Sequence, residues 1–146
     1  MLKKIKLDIY STIVDLDACG LADGEPEINR SSNMGAMRIA ADETVLTYKD
    51  TDENGSVSCS VTLRESSVTV RREGAIASVM VFDEREPYKT VYSIPPYKFD
   101  MEIRTKRLRA ELGEAGGVLD ILYVMDVGGT RREAKMKITV SEVKCP

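Results

Sequence analysis

Hydrophobic and polar residues alternate along much of this chain with a period of two. Ile5, Leu7, Ile9 and Ile13 fall on one parity, with Lys4, Lys6, Asp8 and Thr12 on the other. Val57, Cys59, Val61 and Leu63 alternate with Ser58, Ser60 and Thr62; Phe99, Met101 and Ile103 alternate with Asp100, Glu102 and Arg104. Ala134, Met136, Ile138 and Val140 do the same against Lys135, Lys137 and Thr139. Successive side chains of a strand point to opposite faces, so each run predicts a strand with one buried and one wet face. Antiparallel sheets read this way; the doubly apolar strands of parallel α/β sheets do not.

Turn chemistry separates the runs. Asn54-Gly55 and Gly128-Gly129 are hairpin signals, and Glu65-Ser66-Ser67, Glu73-Gly74 and Gly113-Glu114-Ala115-Gly116-Gly117 are further breaks. Strands are predicted near 3–14, 26–32, 35–40, 44–50, 56–64, 67–73, 75–83, 88–94, 97–107, 117–127 and 131–143. Residues 15–24 are expected to be the most mobile loop. Leu108 and Leu112, four apart, leave room for one short helix over 106–112. Short strands with frequent turns predict an all-β domain, a sandwich or a barrel. Closure into an antiparallel barrel of roughly 8–10 strands is favoured, because a closed sheet has no edge to aggregate. The whole of 1–146 reads as one such domain, consistent with its length of 146 residues.

Composition removes whole classes of chemistry. There is no histidine, hence no imidazole base, no Ser-His-Asp or Cys-His nucleophile and no His-containing zinc site. Twenty-one basic against 24 acidic residues give a net charge of −3, opposite to the basic surplus that nucleic-acid binding exploits, so no nucleic-acid partner is expected. Cys19, Cys59 and Cys145 form no C-x-x-C pair and are odd in number, which fits free thiols in a reducing compartment. Lys3, Lys4 and Lys6 interrupt what would have to be an apolar export signal, and no run approaches the length of a membrane span. A cytoplasmic location with no membrane association is the expectation.

With these strands in order, the chain resembles the bacterial DUF1934, or YwiB-like, family of unknown function. The resemblance rests on Lys3-Lys4-Ile5-Lys6, Leu46-Thr47-Tyr48-Lys49-Asp50-Thr51 before a Gly turn, and Val70-Arg71-Arg72-Glu73-Gly74. Met80-Val81-Phe82, residues 92–95, Thr105-Lys106-Arg107-Leu108, Ile121-Leu122-Tyr123 and the final strand continue it over nearly the whole length. It implies a calycin-type barrel, the superfold of lipocalins and fatty-acid-binding proteins, and no agreed activity. The chain departs from the family's Tyr-x-Thr-Pro-Tyr-Gly, reading Tyr92-Ser93-Ile94-Pro95-Pro96-Tyr97. If the family's Thr and Gly shape a site, that site is altered here.

Charge on apolar parity is the most informative chemical signal. Val68 and Val70 share a face with Arg72; Phe99, Met101, Ile103 and Thr105 share theirs with Arg107 and Arg109. In regular strands Arg72 and Arg107 point into the barrel, where a guanidinium needs a partner. A ligand carboxylate or phosphate would serve, held by the bidentate fork. Fatty-acid-binding barrels hold an acid head with Arg and Tyr, and Tyr123 lies on the Leu119, Ile121 and Met125 parity. Arg72, Arg107, Tyr123 and Thr105 are therefore the candidate ligand-binding residues. The competing reading is that the strands end or bulge near 72 and 106 and the arginines turn to solvent or pair with Glu73 and Glu111, which the opposite parity of Leu108, Ala110 and Leu112 supports.

Other motifs carry less. Asp50-Thr51-Asp52-Glu53-Asn54-Gly55 matches the start of an EF-hand loop, but position 12 is Val61 and the flanks are strands, so it reads as an acidic hairpin turn and no metal is expected. Arg71-Arg72 and Arg131-Arg132 read as solvated strand ends. The cysteines lack the basic setting of reactive thiols, the paired loop carboxylates lack a cleft, and there is no phosphate-cradling loop or cofactor motif.

The sequence-level expectation is a non-enzymatic binder of a small apolar or amphipathic anionic ligand, its interior lined by Val68, Val70, Phe99, Met101, Ile103, Leu119, Ile121, Met136 and Ile138. The alternative is a filled barrel that acts through its surface as an interaction module, with a homodimer among its forms. An interior cavity of about 300 Å³ or more would favour the binder.

Overall fold

The computed structural model describes residues 2–52, 55–75, 77–94 and 96–143. Ten strands run in sequence: β1 (Leu2–Leu16), β2 (Ala22–Ile39), β3 (Thr44–Asp52), β4 (Gly55–Leu63), β5 (Val68–Gly74), β6 (Ser78–Phe82), β7 (Tyr88–Ile94), β8 (Tyr97–Gly113), β9 (Gly116–Val127) and β10 (Thr130–Glu142). They form one antiparallel sheet in the order β6-β5-β4-β3-β2-β1-β10-β9-β8-β7. Every neighbour in that order is also a neighbour along the chain, except β1 and β10. The two outermost strands, β6 and β7, meet through an isolated bridge between Ala77 and Ser93, whose two backbone hydrogen bonds are both 3.0 Å. The sheet thus curls into a nearly closed barrel with a thin seam.

The alternation seen in the sequence lines the interior. Ile5 and Leu7 of β1, Leu46 of β3, Val61 of β4, Phe82 of β6, Leu119 of β9 and Ile138 of β10 are almost fully excluded from solvent. Burying each such side chain contributes about 1.5–3 kcal/mol, which is what holds ten strands in a single wall. Gly128 and Gly129 both adopt positive φ (60° and 88°), the mirror-image turn that a two-residue hairpin needs between Val127 and Thr130.

Three local expectations are corrected. Residues 26–32 and 35–40 belong to one strand, because the β1–β2 register continues unbroken through Ser32-Asn33-Met34-Gly35. Residues 106–112 are strand, paired to β9 as far as Gly113. Near 106 the alternative of a bulge holds: Thr105 pairs with Tyr123 and Arg107 with Leu122, leaving Lys106 as the extra residue. Of residues 15–24 only 17–21 form the turn between β1 and β2, and Asp17 ties it, its carboxylate accepting the N–H groups of Cys19 (2.9 Å) and Leu21 (3.0 Å).

β2 is longer than its second neighbour allows. It pairs with β1 almost throughout, but with β3 only from Gly35 to Ile39. A Cβ at Gly35 would run into the Thr47 carbonyl oxygen and lie 2.9 Å from Leu7 Cδ1, so the parting point needs glycine. Beyond it, residues 22–34 of β2 have no strand on their far side among the described residues.

Candidate functional site

Arg72 sits near the end of β5, and hairpin register dictates its company. The turn at Glu65-Ser66 is closed by the Arg64 N–H to Ser67 carbonyl bond (2.9 Å), which sets Leu63 opposite Val68 and so Cys59 opposite Arg72. Continuing across the sheet, Tyr48 faces Cys59 and Ser78 faces Arg72. The row Tyr48, Cys59, Arg72 and Ser78 lies on the inner face.

The electrostatics of this row centre on Arg72. Burial raises the pKa of Tyr48, of the Cys59 thiol and of Tyr123, and the Arg72 charge pulls each of the three back down. The Tyr48 hydroxyl also donates toward the Cys59 sulfur. Asp50, on the inner parity of β3, is the acid whose charge reaches Tyr48 and Cys59, yet no carboxylate approaches Arg72 within ion-pair distance among the described residues. Two buried polar atoms stand without hydrogen-bond partners among the described residues, Arg72 Nε and Ser78 Oγ, side by side across the β5–β6 pair.

Tyr123 is buried on β9, tilted at 59° to Phe82 with ring centroids 4.7 Å apart. Thr105 is buried beside it, and its Oγ1 accepts the Asp83 N–H (3.1 Å). Arg107, the fourth expected residue, is exposed: the bulge at Lys106 inverts the parity of β8, so Leu108 and Leu112 pack toward the core while Arg107 and Arg109 face solvent. Phe99, expected inside, is 42% exposed at the barrel end, whereas the other expected lining residues are buried. The set that converges is Arg72 and Tyr123 with Tyr48, Cys59 and Ser78. Ser78 was legible as a polar residue on the parity of Met80 and Phe82, and Tyr48 as a tyrosine on the parity of Leu46.

The bulge itself is secured by the β6–β7 loop. Glu84 Oε1 accepts the Leu108 N–H at 2.7 Å, and Asp83 accepts three hydrogen bonds from Arg85, two of them from the guanidinium. These bonds hold the Asp83 carboxyl down at a pKa of about 2.

The other basic positions meet carboxylates. Arg71, Arg131 and Arg132 approach Glu73, Asp126 and Asp15 at 3.8, 3.8 and 2.9 Å. Glu53 and Asn54 of the acidic turn, Pro95 of the divergent segment and Cys145 lie outside the described residues. No cluster of three metal-ligating side chains occurs among the described residues. Two open grooves lie outside the interior. One of about 400 Å³ runs over Tyr10, Arg30 and Lys137, and one of about 540 Å³ lies at the barrel end between Thr44, Arg64 and Leu112. No helix of the described residues is long and apolar enough to cross a membrane.

These features define a class: an antiparallel ten-stranded β-barrel with an apolar interior into which one arginine projects. The family profile described as "Domain of unknown function (DUF1934)" matches residues 21–140, and the chain belongs to that family. It is 26% identical over 124 residues to the uncharacterised β-barrel protein YwiB of Bacillus subtilis (strain 168), covering 85% of this chain and 82% of that protein. The crystal structure of the ywiB protein from Bacillus subtilis superposes with a TM-score of 0.85 at 24% identity, over 98% of this chain and 94% of the other, and shares its fold.

Proposed function

We propose that this barrel is a non-enzymatic binder of a small anionic ligand, of the calycin kind, with Arg72 as the anchor of the acid group. The observation that carries the reading is the pair of unpartnered buried polar atoms, Arg72 Nε and Ser78 Oγ. Leaving a buried donor unpaired costs about 1–3 kcal/mol, and more where the group is charged. A carboxylate oxygen bridging Nε and Oγ removes that cost, and the Tyr48 and Tyr123 hydroxyls stand within the same electrostatic neighbourhood. Thr105 supports this wall through Asp83, and Arg107 has no part in it. The free thiols of Cys19 and Cys59 fit a reducing cytoplasm as the place of action.

The test is native mass spectrometry of protein purified from its own host, followed by denaturing extraction. A reproducible adduct on wild type that Arg72→Met abolishes supports the reading and names the ligand class. A mass equal to the bare chain, or an adduct indifferent to Arg72→Met, overturns it. The position of both described grooves outside the interior favours a second reading, a filled barrel that works through its surface.

A further inference from the structure

We infer that the free edge of β2 over residues 28–34 is a pairing site for a second copy of this chain, strand against strand across a two-fold axis. An unpaired strand edge presents a row of backbone donors and acceptors and recruits another strand unless it is protected. The protection here is local. Asp23, Glu25, Pro26 and Glu27 occupy the outer part of the free edge, and from residue 28 to residue 34 there is neither acid nor proline. The same seven residues hold two of the large exposed hydrophobics of the chain, Ile28 (54%) and Met34 (52%), both on the outward parity of β2.

Their spacing selects a register. When β2 pairs antiparallel with its own copy so that Ser31 meets Ser31, Ile28 falls opposite Met34 and Met34 opposite Ile28, giving two apolar cross-strand pairs on one face. Asn29 then faces Asn33, and Arg30 faces Ser32, so no like charges are opposed. Charge complementarity adds to this. Ser32 donates to Asp8, which lies beside it on β1, so the Arg30 guanidinium of each copy comes next to the Asp8 carboxylate of the other. In the single chain Arg30 rests over the Tyr10 ring at 5.1 Å and has no carboxylate within ion-pair distance among the described residues. Pairing ends at Gly35 on each side, where β2 is already bonded to β3. A contact built on one short strand per copy falls below the roughly 1,200 Å² of standard interfaces, so the dimer is weak and concentration-dependent.

Sedimentation of the full chain at concentrations rising to roughly millimolar populates even a weak dimer. Wild type is expected to shift from monomer to dimer, and Ile28→Lys/Met34→Lys, two exposed substitutions with an unchanged thermal midpoint, is expected to remain monomeric. In a background with Cys19→Ser and Cys145→Ser, Ser31→Cys on the axis should form an intermolecular disulfide on mild oxidation, its Cα pair falling within the usual disulfide range. Asn29→Cys, which meets Asn33, should form little or none. Wild type that stays monomeric throughout overturns the inference. So does a dimer that persists in the lysine variant, or one that cross-links equally well through position 29.

Discussion

Arg72 and Arg107 occupy equivalent positions in the alternation of their strands, yet one enters the barrel and the other faces water. The difference is the single extra residue at Lys106, already foreshadowed in the sequence by the switch of Leu108, Ala110 and Leu112 to the opposite parity. The neighbours of Arg72 were legible in principle from the β4–β5 turn alone, since Leu63 opposite Val68 forces Cys59 opposite Arg72. What the pattern did not carry was Asp83, because its role depends on a loop meeting a bulge two strands away. Its carboxyl, held near pH 2 against an ordinary value of 3.8, contributes stability that is fully present above about pH 4 and is lost as pH falls through 2. Thermal melts should therefore show wild type losing stability between pH 4 and pH 2 more steeply than Asp83→Asn. The variant should melt lower at neutral pH, and the two curves should converge at the acid end.

At the scale of elements, alternation was a sound guide to strand existence and a poor guide to continuity. The Ser32-to-Gly35 stretch looks like a break because its residues are turn formers, but pairing to β1 outweighs local preference. Leu108 and Leu112 fit a helix and a strand equally well, since a spacing of four preserves parity; the β9 partner decides. The β8 bulge offers a sharp test of this logic. Lys106→Ala removes only the exposed pair with Glu133 and should cost less than about 1 kcal/mol. Deleting Lys106 leaves Arg107 opposite Leu122 and Leu108 opposite Ile121 in a regular ladder, so each keeps its face, and the deletion should cost only about 0.5–3 kcal/mol. Urea unfolding followed by far-UV circular dichroism checks both, with a cooperative transition expected for each variant; a deletion that no longer folds would overturn the assignment of Lys106 as the extra residue.

On the scale of the whole molecule, the barrel is a ring of hairpins with two unlike joints. One is the thin seam between β6 and β7; the other is the broad ladder between β1 and β10, running from Ile5 opposite Glu142 to Asp15 opposite Arg132. That ladder joins the two most distant stretches of the sequence, so its formation must await the closure of almost the entire chain as one loop. Such non-local closure is what slows the folding of β proteins. Val143 donates its N–H to the Lys4 carbonyl at 3.0 Å, so a short linker can join the ends there. Recutting the chain between Glu86 and Pro87 then makes every long ladder sequence-local and leaves only the two-bond seam to bridge a great distance. Stopped-flow refolding of this permutant should be several-fold faster than that of the natural order, with equilibrium stability little changed. The order in which the strands are strung, and not the barrel they build, is what sets how long the chain spends unfolded.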